Sequence, residues 1–462
     1  MHGGCRPPSR CALFCLALRC VVSGVFRLSF NMMTIAAAFA ATCAAAAAQT
    51  PAQQTPPKPP LPNRANNLLP SWLRVRGEFR ERAEGAENAG FNDARDDLYY
   101  LSRLRLNVST TSKYVVATVQ AQDARVARKT VGPTGAPFKA AFDLRQAYAD
   151  IGTPRAPVVA RVGRQELGFG DQRLLGASNW TNAARTFDAA RVTIRSTSAQ
   201  IDLFGASLVR ILDGEFDRSG NGNRLAGAYV STTKLVPRAA VEPYAFYRRD
   251  VPTSLRQLTS GVRLAGALPA AVEYNVEMDV QTGTAGTNAI RAWAVHWQAR
   301  RAFTRRLQPR ASGEYNFATG DSSPTDGTRG TFDQLYATSH DKYGLADQVG
   351  WRNIHDMRVG IDFMPLHATL VTVNHHSYWL AEKRDGLYAA NGALLAGVAS
   401  GAARARVGEE VDLQVARPLT PQLALAAGYS HLFAGPFLKQ ATPGRAYSSV
   451  FLMLTYVFLA EK

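Results

Sequence analysis

The chain has 462 residues, a formal net charge of +17 and five cysteines, the last of which is Cys43. Its length would allow two or three domains, but no stretch after Trp72 has the composition of an interdomain linker, so we expect one large domain. The lack of cysteine after Cys43 excludes a disulfide framework, and the positive charge indicates anionic partners such as phosphate, acidic sugars, lipid headgroups or nucleic acid.

Residues 1–48 have the features of a secretory signal peptide. They contain four arginines, no acidic residue and an apolar stretch that ends in small residues before a predicted cleavage near Ala48. Because this segment is long for a signal, translation could begin at Met32 or Met33, and an uncleaved membrane helix is the alternative. Without the four arginines the net charge falls from +17 to +13. Export argues against nucleic acid as a partner.

Residues 49–70 are rich in proline and polar side chains, which predicts a flexible periplasmic segment. In residues 71–462 polar and apolar residues alternate in segments of about ten, the length that a tilted strand needs to cross a bilayer. In the first segment Arg80 and Arg82 fall on one face and Phe79 on the other. Such heavily charged faces need water around them, which favours a hydrated barrel interior.

Eighteen segments follow this pattern, and the breaks between them alternate between short and long. The candidate strands lie near 72–82, 101–109, 114–125, 142–151, 158–168, 189–196, 201–210, 225–234, 240–249, 257–266, 271–281, 289–301, 307–317, 354–364, 368–379, 408–417, 423–433 and 447–458. This plan predicts an all-β fold, a transmembrane antiparallel up-and-down β-barrel with short periplasmic turns and long extracellular loops. A β-sandwich or propeller has no reason to separate its connections by length.

Several stretches resemble the alginate-export family of bacterial outer-membrane proteins. They are DLRQAYADI at 143–151, VGRQELGFGDQRLLG at 162–176, NAARTFDAARV at 182–192, NFATGD at 316–321 and TFDQLYATSHDKYGLADQVGWRNI at 331–354. The resemblance implies an 18-stranded monomeric barrel in the outer membrane, with an arginine-rich pore that passes an anionic polysaccharide such as an alginate-like polymer. It implies no cofactor.

The predicted inward-facing arginines would form a positively charged track for anions. They are Arg74, Arg76, Arg80, Arg82, Arg103, Arg105, Arg145, Arg161, Arg191, Arg195, Arg310 and Arg358. The alternative is a ladder of ion pairs that only braces the wall, because acidic residues share these faces. The predicted pore-lining acids are Glu78, Glu273, Glu277, Glu314 and Asp362.

The long connection from Gly168 to Asp188 is a candidate constriction. It carries Asp171, Arg173, Trp180 and Arg185, which could fold into the lumen, and a solvated extracellular loop is the alternative. A calcium site in the Gly-rich segment with Asp321 and Asp326 is conceivable, but the EF-hand spacing fails. Adjacent His375 and His376 point to opposite faces of a strand, so we expect membrane-interface residues and no metal site.

These observations favour a channel over an enzyme. Its expected partners are outer-membrane lipid, an anionic polysaccharide or small anions, and periplasmic export components. The alternatives are a general or nutrient-uptake anion-selective porin, an outer-membrane barrel hydrolase and a purely structural wall anchor. A hydrolase would need a nucleophile, base and orienting group at one rim, and no GxSxG element supports one.

Overall fold

The computed structural model describes residues 66–153 and 155–459, which form one closed antiparallel barrel of eighteen strands. The predicted signal peptide and most of the Pro-rich segment lie outside the described residues. The strands are β1 Leu73–Glu87, β2 Asp97–Thr111, β3 Val115–Ala127, β4 Ala140–Ile151, β5 Val158–Gln165, β6 Phe187–Arg195, β7 Ala199–Arg210, β8 Arg218–Thr232, β9 Ala239–Asp250, β10 Leu255–Leu268, β11 Val272–Ala285, β12 Asn288–Ala302, β13 Arg310–Ala318, β14 Ile354–Leu366, β15 Thr369–Leu380, β16 Arg406–Pro418, β17 Leu423–Ala434 and β18 Tyr447–Phe458. The predicted class and strand number are confirmed.

The barrel closes where β1 pairs with both β2 and β18. Closure matters because a backbone N–H or C=O group left unpaired in lipid costs several kcal/mol, so a membrane sheet can have no free edge. Asn66 reinforces this seam at the periplasmic end. Its amide nitrogen donates to the carbonyl oxygens of Val75 and Leu459, each at 2.7 Å.

The alternation places charge inside the barrel and apolar side chains outside. Arg103 and Arg105 on β2 are 3% and 6% exposed, whereas the intervening Leu104 is 38% exposed on the outer wall. The same pattern on the other strands produces an outer apolar band that suits lipid. No helix in the described part of the chain is long and apolar enough to cross a membrane.

The two ends of the barrel differ in their connections. All eight short turns lie at one end, as predicted, and the other end carries the loops 88–96, 128–139, 166–186, 211–217, 319–353, 381–405 and 435–446, the last of which contains helix α1, Pro436–Ala441. The expectation that every connection at this end is long was wrong for 251–254 and 286–287. In the two-residue connection Gly286 adopts a φ of +61°, which permits a tight hairpin.

Gly163 provides a test of strand geometry. Its φ is +123°, and a Cβ there would lie 2.2 Å from the Ala147 carbonyl oxygen. We therefore predict that Gly163→Ala destabilises the barrel by about 1–3 kcal/mol and lowers the temperature at which the compact, heat-modifiable band is lost on electrophoresis. Gly313→Ala is the control, because a Cβ at Gly313 meets nothing within 4 Å. Equal loss temperatures for the two variants would contradict the strained geometry.

Candidate functional site: a charged lumen crossed by two loops

Two extracellular loops fold into the lumen and contact each other there. We call residues 166–186 the first lumen loop and residues 319–353 the second lumen loop. The Tyr336 N–H donates to the Leu174 carbonyl at 2.8 Å, and the Thr338 N–H donates to the Gln172 carbonyl at 2.9 Å. The two loops therefore form one hydrogen-bonded layer across the barrel.

The first lumen loop is held by a cluster on the inner face of β1 and β2. We call this cluster the arginine wall, and it consists of Arg80, Arg82, Arg103 and Arg105. Arg80 and Arg103 lie directly opposite each other in the strand register. Both donate to the carbonyl oxygen of Asn179, at 2.9 and 3.0 Å. A shared acceptor offsets the repulsion between two buried cations.

Trp180 gives the same loop an aromatic anchor. The Arg82 guanidinium lies 3.8 Å from the centroid of its ring and donates to its carbonyl oxygen at 2.7 Å. The His340 ring, from the second lumen loop, stacks parallel to the Trp180 ring at 3.7 Å. The cation–π contact and the stack fix this ring between the wall and the other loop.

A buried ion network joins the first lumen loop to β13. Arg173 contacts Glu314 at 2.9 Å and Asp171 at 3.0 Å. Glu314 also pairs with Arg358 of β14. Burial alone would raise the pKa of Asp171, but the charges of Arg173 and Lys342 outweigh burial and lower this pKa to about 2. Asp171 therefore stays ionised at physiological pH and keeps its hold on Arg173.

Arg185 connects the two lumen loops through backbone carbonyls. Its guanidinium donates to the carbonyl oxygens of Gly176 at 2.9 Å and Ala337 at 3.2 Å. Burial lowers the pKa of Arg185 to about 10, so the side chain remains charged at neutral pH. The structure thus places all four candidate constriction residues within the lumen layer. Whether they narrow a conducting path stays a prediction.

Acidic side chains line the wall opposite the arginine wall. Strands β2 and β11 are nine positions apart in a ring of eighteen, so they face each other. Glu277 and Asp279 on β11 are buried, and the Tyr244 hydroxyl lies 2.5 and 2.6 Å from their carboxylates. Glu273, nearer the periplasmic end of the same face, is exposed. Acidic side chains therefore lie across the lumen from the arginine wall.

The other predicted track arginines include several that are already ion-paired. Arg161 pairs with Asp150 at 2.6 Å, Arg191 with Asp202 at 2.8 Å, Arg310 with Asp362 at 2.5 Å, Arg145 with Glu166, and Arg103 of the wall with Glu78 at 2.5 Å. Arg74 donates to the carbonyl of Pro70 at 2.9 Å. By contrast, Arg76 and Arg195 are exposed inside the periplasmic half. Wall-bracing pairs and exposed cations therefore coexist.

Sequence reasoning missed inward arginines on the strands from β9 to β12. Arg248 contacts Asp333 of the second lumen loop at 2.9 Å, and Arg263 contacts Glu242 at 2.5 Å. The alternation that identified the first strands could have found them, since Leu258 on the outer face of β10 fixes the inward set. No comparable pattern in the sequence around Asp333 indicates that this loop residue is the partner of Arg248.

The expectation that the histidine pair lies at the membrane interface was wrong for His376. This side chain is fully buried in the lumen, with Nδ1 2.8 Å from Asp356, whereas His375 lies on the outer face. The alternation along the strand explains why the two histidines differ, because His376 is at a position on the charged inner face.

Asp321 and Asp326 accept backbone N–H bonds from Ser323 and Thr328, the geometry of Asx turns.

A closed eighteen-stranded barrel with an apolar outer band and a charged lumen defines an outer-membrane channel barrel. The chain belongs to the alginate export family, whose model matches residues 71–451. A search of the curated proteins finds no match.

Solved barrels from Pseudomonas aeruginosa have a similar fold. The outer-membrane protein OpdK is 11% identical, with a TM-score of 0.59 over 84% of this chain and 98% of OpdK. OpdK has also been solved with vanillate, with a TM-score of 0.58, 12% identity and the same coverage. OpdO is 12% identical, with a TM-score of 0.58 over 86% of this chain and 99% of OpdO. At these identities the likeness concerns the fold.

The arginine wall predicts a direct effect on conduction. Arg80→Gln with Arg103→Gln removes charge-assisted bonds to the loop backbone and should cost about 3 kcal/mol of docking free energy, roughly a hundredfold in the docked population. We expect higher and noisier single-channel conductance in planar bilayers. Arg76→Gln on the same inner face is the control for loss of a lumen charge alone, because Arg76 is exposed and lies outside the arginine wall that holds the loop. Unchanged conductance in the double variant would mean that the wall does not hold the loop across the path.

Proposed function

We propose that this protein is an outer-membrane conduit for anionic solutes, with an acidic polysaccharide as its preferred cargo. The observation that carries the proposal is the arginine wall on β1 and β2, extended towards the periplasm by the exposed Arg76 and Arg195. Membership of the alginate export family and the net charge of +13 outside the predicted signal peptide support the same reading. The predicted signal peptide would direct the chain to this location.

Entry from the periplasm suits the distribution of charge. The arginines exposed in the periplasmic half would attract an anionic chain before it reaches the buried layer. Cations along a narrow, partly desolvated path act through less water than on an open surface, so a few kT of potential would bias permeation about tenfold.

The lumen layer would act as the gate. In the structure the guanidinium groups of Arg80 and Arg103 both donate to the backbone carbonyl of Asn179, and Arg103 also pairs with Glu78. A carboxylate accepts the same hydrogen bonds as a carbonyl and adds the attraction between two full charges, and it can bind a guanidinium group bidentately. A passing carboxylate would therefore compete with the loop for the same guanidinium groups, and its arrival would favour release of the first lumen loop.

A hydrolase remains the alternative from another class. The buried His376 and Asp356 supply a base and an orienting group, but His376 Nε2 has no hydrogen-bond partner among the described residues. A triad would need a nucleophilic hydroxyl at that position. Lipid, ester and peptide hydrolysis assays on the purified barrel separate the two readings, since turnover abolished by His376→Ala would favour the enzyme.

Ion selectivity provides the main test of the proposal. We expect the native barrel to prefer anions, measured as a reversal potential under a salt gradient across a planar bilayer. Arg76→Ser with Arg195→Ser should weaken this preference. Glu273→Gln, which removes an exposed acid from the same half of the lumen, should strengthen it. Cation preference in the native barrel, or shifts in the wrong direction, would overturn the arginine track.

A second measurement distinguishes a polysaccharide conduit from a general anion-selective porin. Oligomers of uronic acids, added on the periplasmic side, should block chloride current at lower concentrations than neutral oligosaccharides of equal length. Equal block by both oligomers would leave a porin for small anions as the better description.

A further inference from the structure

The outer wall carries a row of arginines at its extracellular end. Arg224 on β8, Arg249 on β9 and Arg256 on β10 are directly opposite one another in the strand register. All three are exposed, on the same face as Tyr247 and Leu258, which are 43% and 40% exposed. We call these three residues the rim arginines.

The rim arginines are like charges on neighbouring strands, and the acid in the same row, Asp188, is paired with Arg164. Like charges directly opposite in a sheet are destabilising. Among the described residues, no Asp or Glu forms a salt bridge with any of them, and the nearby Asp250 is paired with Arg248. Such a row is best stabilised by an anion from outside the chain.

The position of the row fits the boundary between lipid and water. One step towards the periplasm, the outer face changes to Ala226, Tyr247 and Leu258, which belong to the apolar band. A cleft of about 370 Å³ opens beside the row, lined by Arg249, Arg256 and Thr284 among others.

A second depression, of about 460 Å³, begins beside Arg224 and extends into the apolar band. Ser207 stands opposite Arg224 in the upper row, and the floor one step below is formed by Ala190 and Gly205. A Cβ added at Gly205 would meet nothing within 4 Å, so the groove is open at this point. Val162 adds an apolar side chain to this floor, and Asp188 lines the depression at the level of Ser207.

We propose that this face binds a phosphorylated, acylated glycolipid of the outer leaflet. The rim arginines bind its phosphate groups, and the groove over Ala190 and Gly205 receives an acyl chain. Guanidinium groups match phosphate bidentately, and neighbouring strands lie about 4.8 Å apart, so a single phosphate can bridge two arginines of the row. A lipid has a polar headgroup that can contact the arginines and an acyl chain that can fill the groove, whereas an exported acidic polymer would contact the arginines alone.

The test is native mass spectrometry of the full barrel protein in detergent with bis-phosphorylated lipid A, and with its dephosphorylated form, as probes. Arg249→Gln with Arg256→Gln should weaken binding of the phosphorylated probe about tenfold. Gly205→Leu should weaken it by filling the groove, without a change of charge. Arg305→Gln with Arg306→Gln, in the exposed periplasmic turn, is the control and should leave binding unchanged. Heat-modifiable migration checks that each variant is folded.

Three outcomes would overturn the site. If the native protein and the rim double variant bind the probe equally, the arginines do not bind the lipid. If the dephosphorylated probe binds as well as the phosphorylated one, the site does not recognise phosphate. Unchanged binding in Gly205→Leu, together with displacement of the probe by uronic-acid oligomers, would assign the row to an acidic polymer. Conductance is not involved in this test, so its result is independent of the proposed transport function.

Discussion

The constraint that organises this molecule is that lipid offers no hydrogen bonds to a polypeptide backbone. A sheet in the membrane must therefore close, and β1 meets β18 to complete the ring. In a closed ring of strands, successive side chains point alternately to the lumen and to the lipid. Every second residue must therefore face lipid. The ionised residues consequently collect in the lumen, where their charges must be solvated or paired.

The lumen solves that problem in two ways. In the periplasmic half, arginines such as Arg161 pair across strands with acids or remain exposed to water. In the extracellular half the walls are buried, and the two lumen loops supply the missing partners as backbone carbonyls and N–H groups. On β16, Glu410 accepts from the Ala346 N–H and Asp412 from the Leu345 N–H, at 2.9 and 3.1 Å. The loops are thus positioned by the charged side chains to which their backbone groups are hydrogen-bonded.

The strands could be predicted from the sequence, but most of the lumen layer could not. Strand number and facing were predictable because alternation is local and repeats eighteen times, so an error of two or three residues at an end changes nothing. The infolding of the first lumen loop was not predictable, since the contact from Arg80 to Asn179 joins residues 99 apart. The inward orientation of His376 was predictable from the alternation along its strand. Its partner Asp356 on β14 can be identified only when the register between the two strands is known.

The same physics separates the inner and outer arginines into different roles. A buried cation such as Arg103 cannot lose its partners without a large penalty, so it keeps the first lumen loop in place, and in the proposed function only an anionic cargo would replace that loop. An exposed cation such as Arg249 keeps most of its hydration and remains accessible, so it is available for the proposed contact with a lipid phosphate. The barrel wall between them insulates one set from the other. The proposed anionic cargo inside and the proposed anionic lipid outside would therefore be bound by the same residue type at two separate sites.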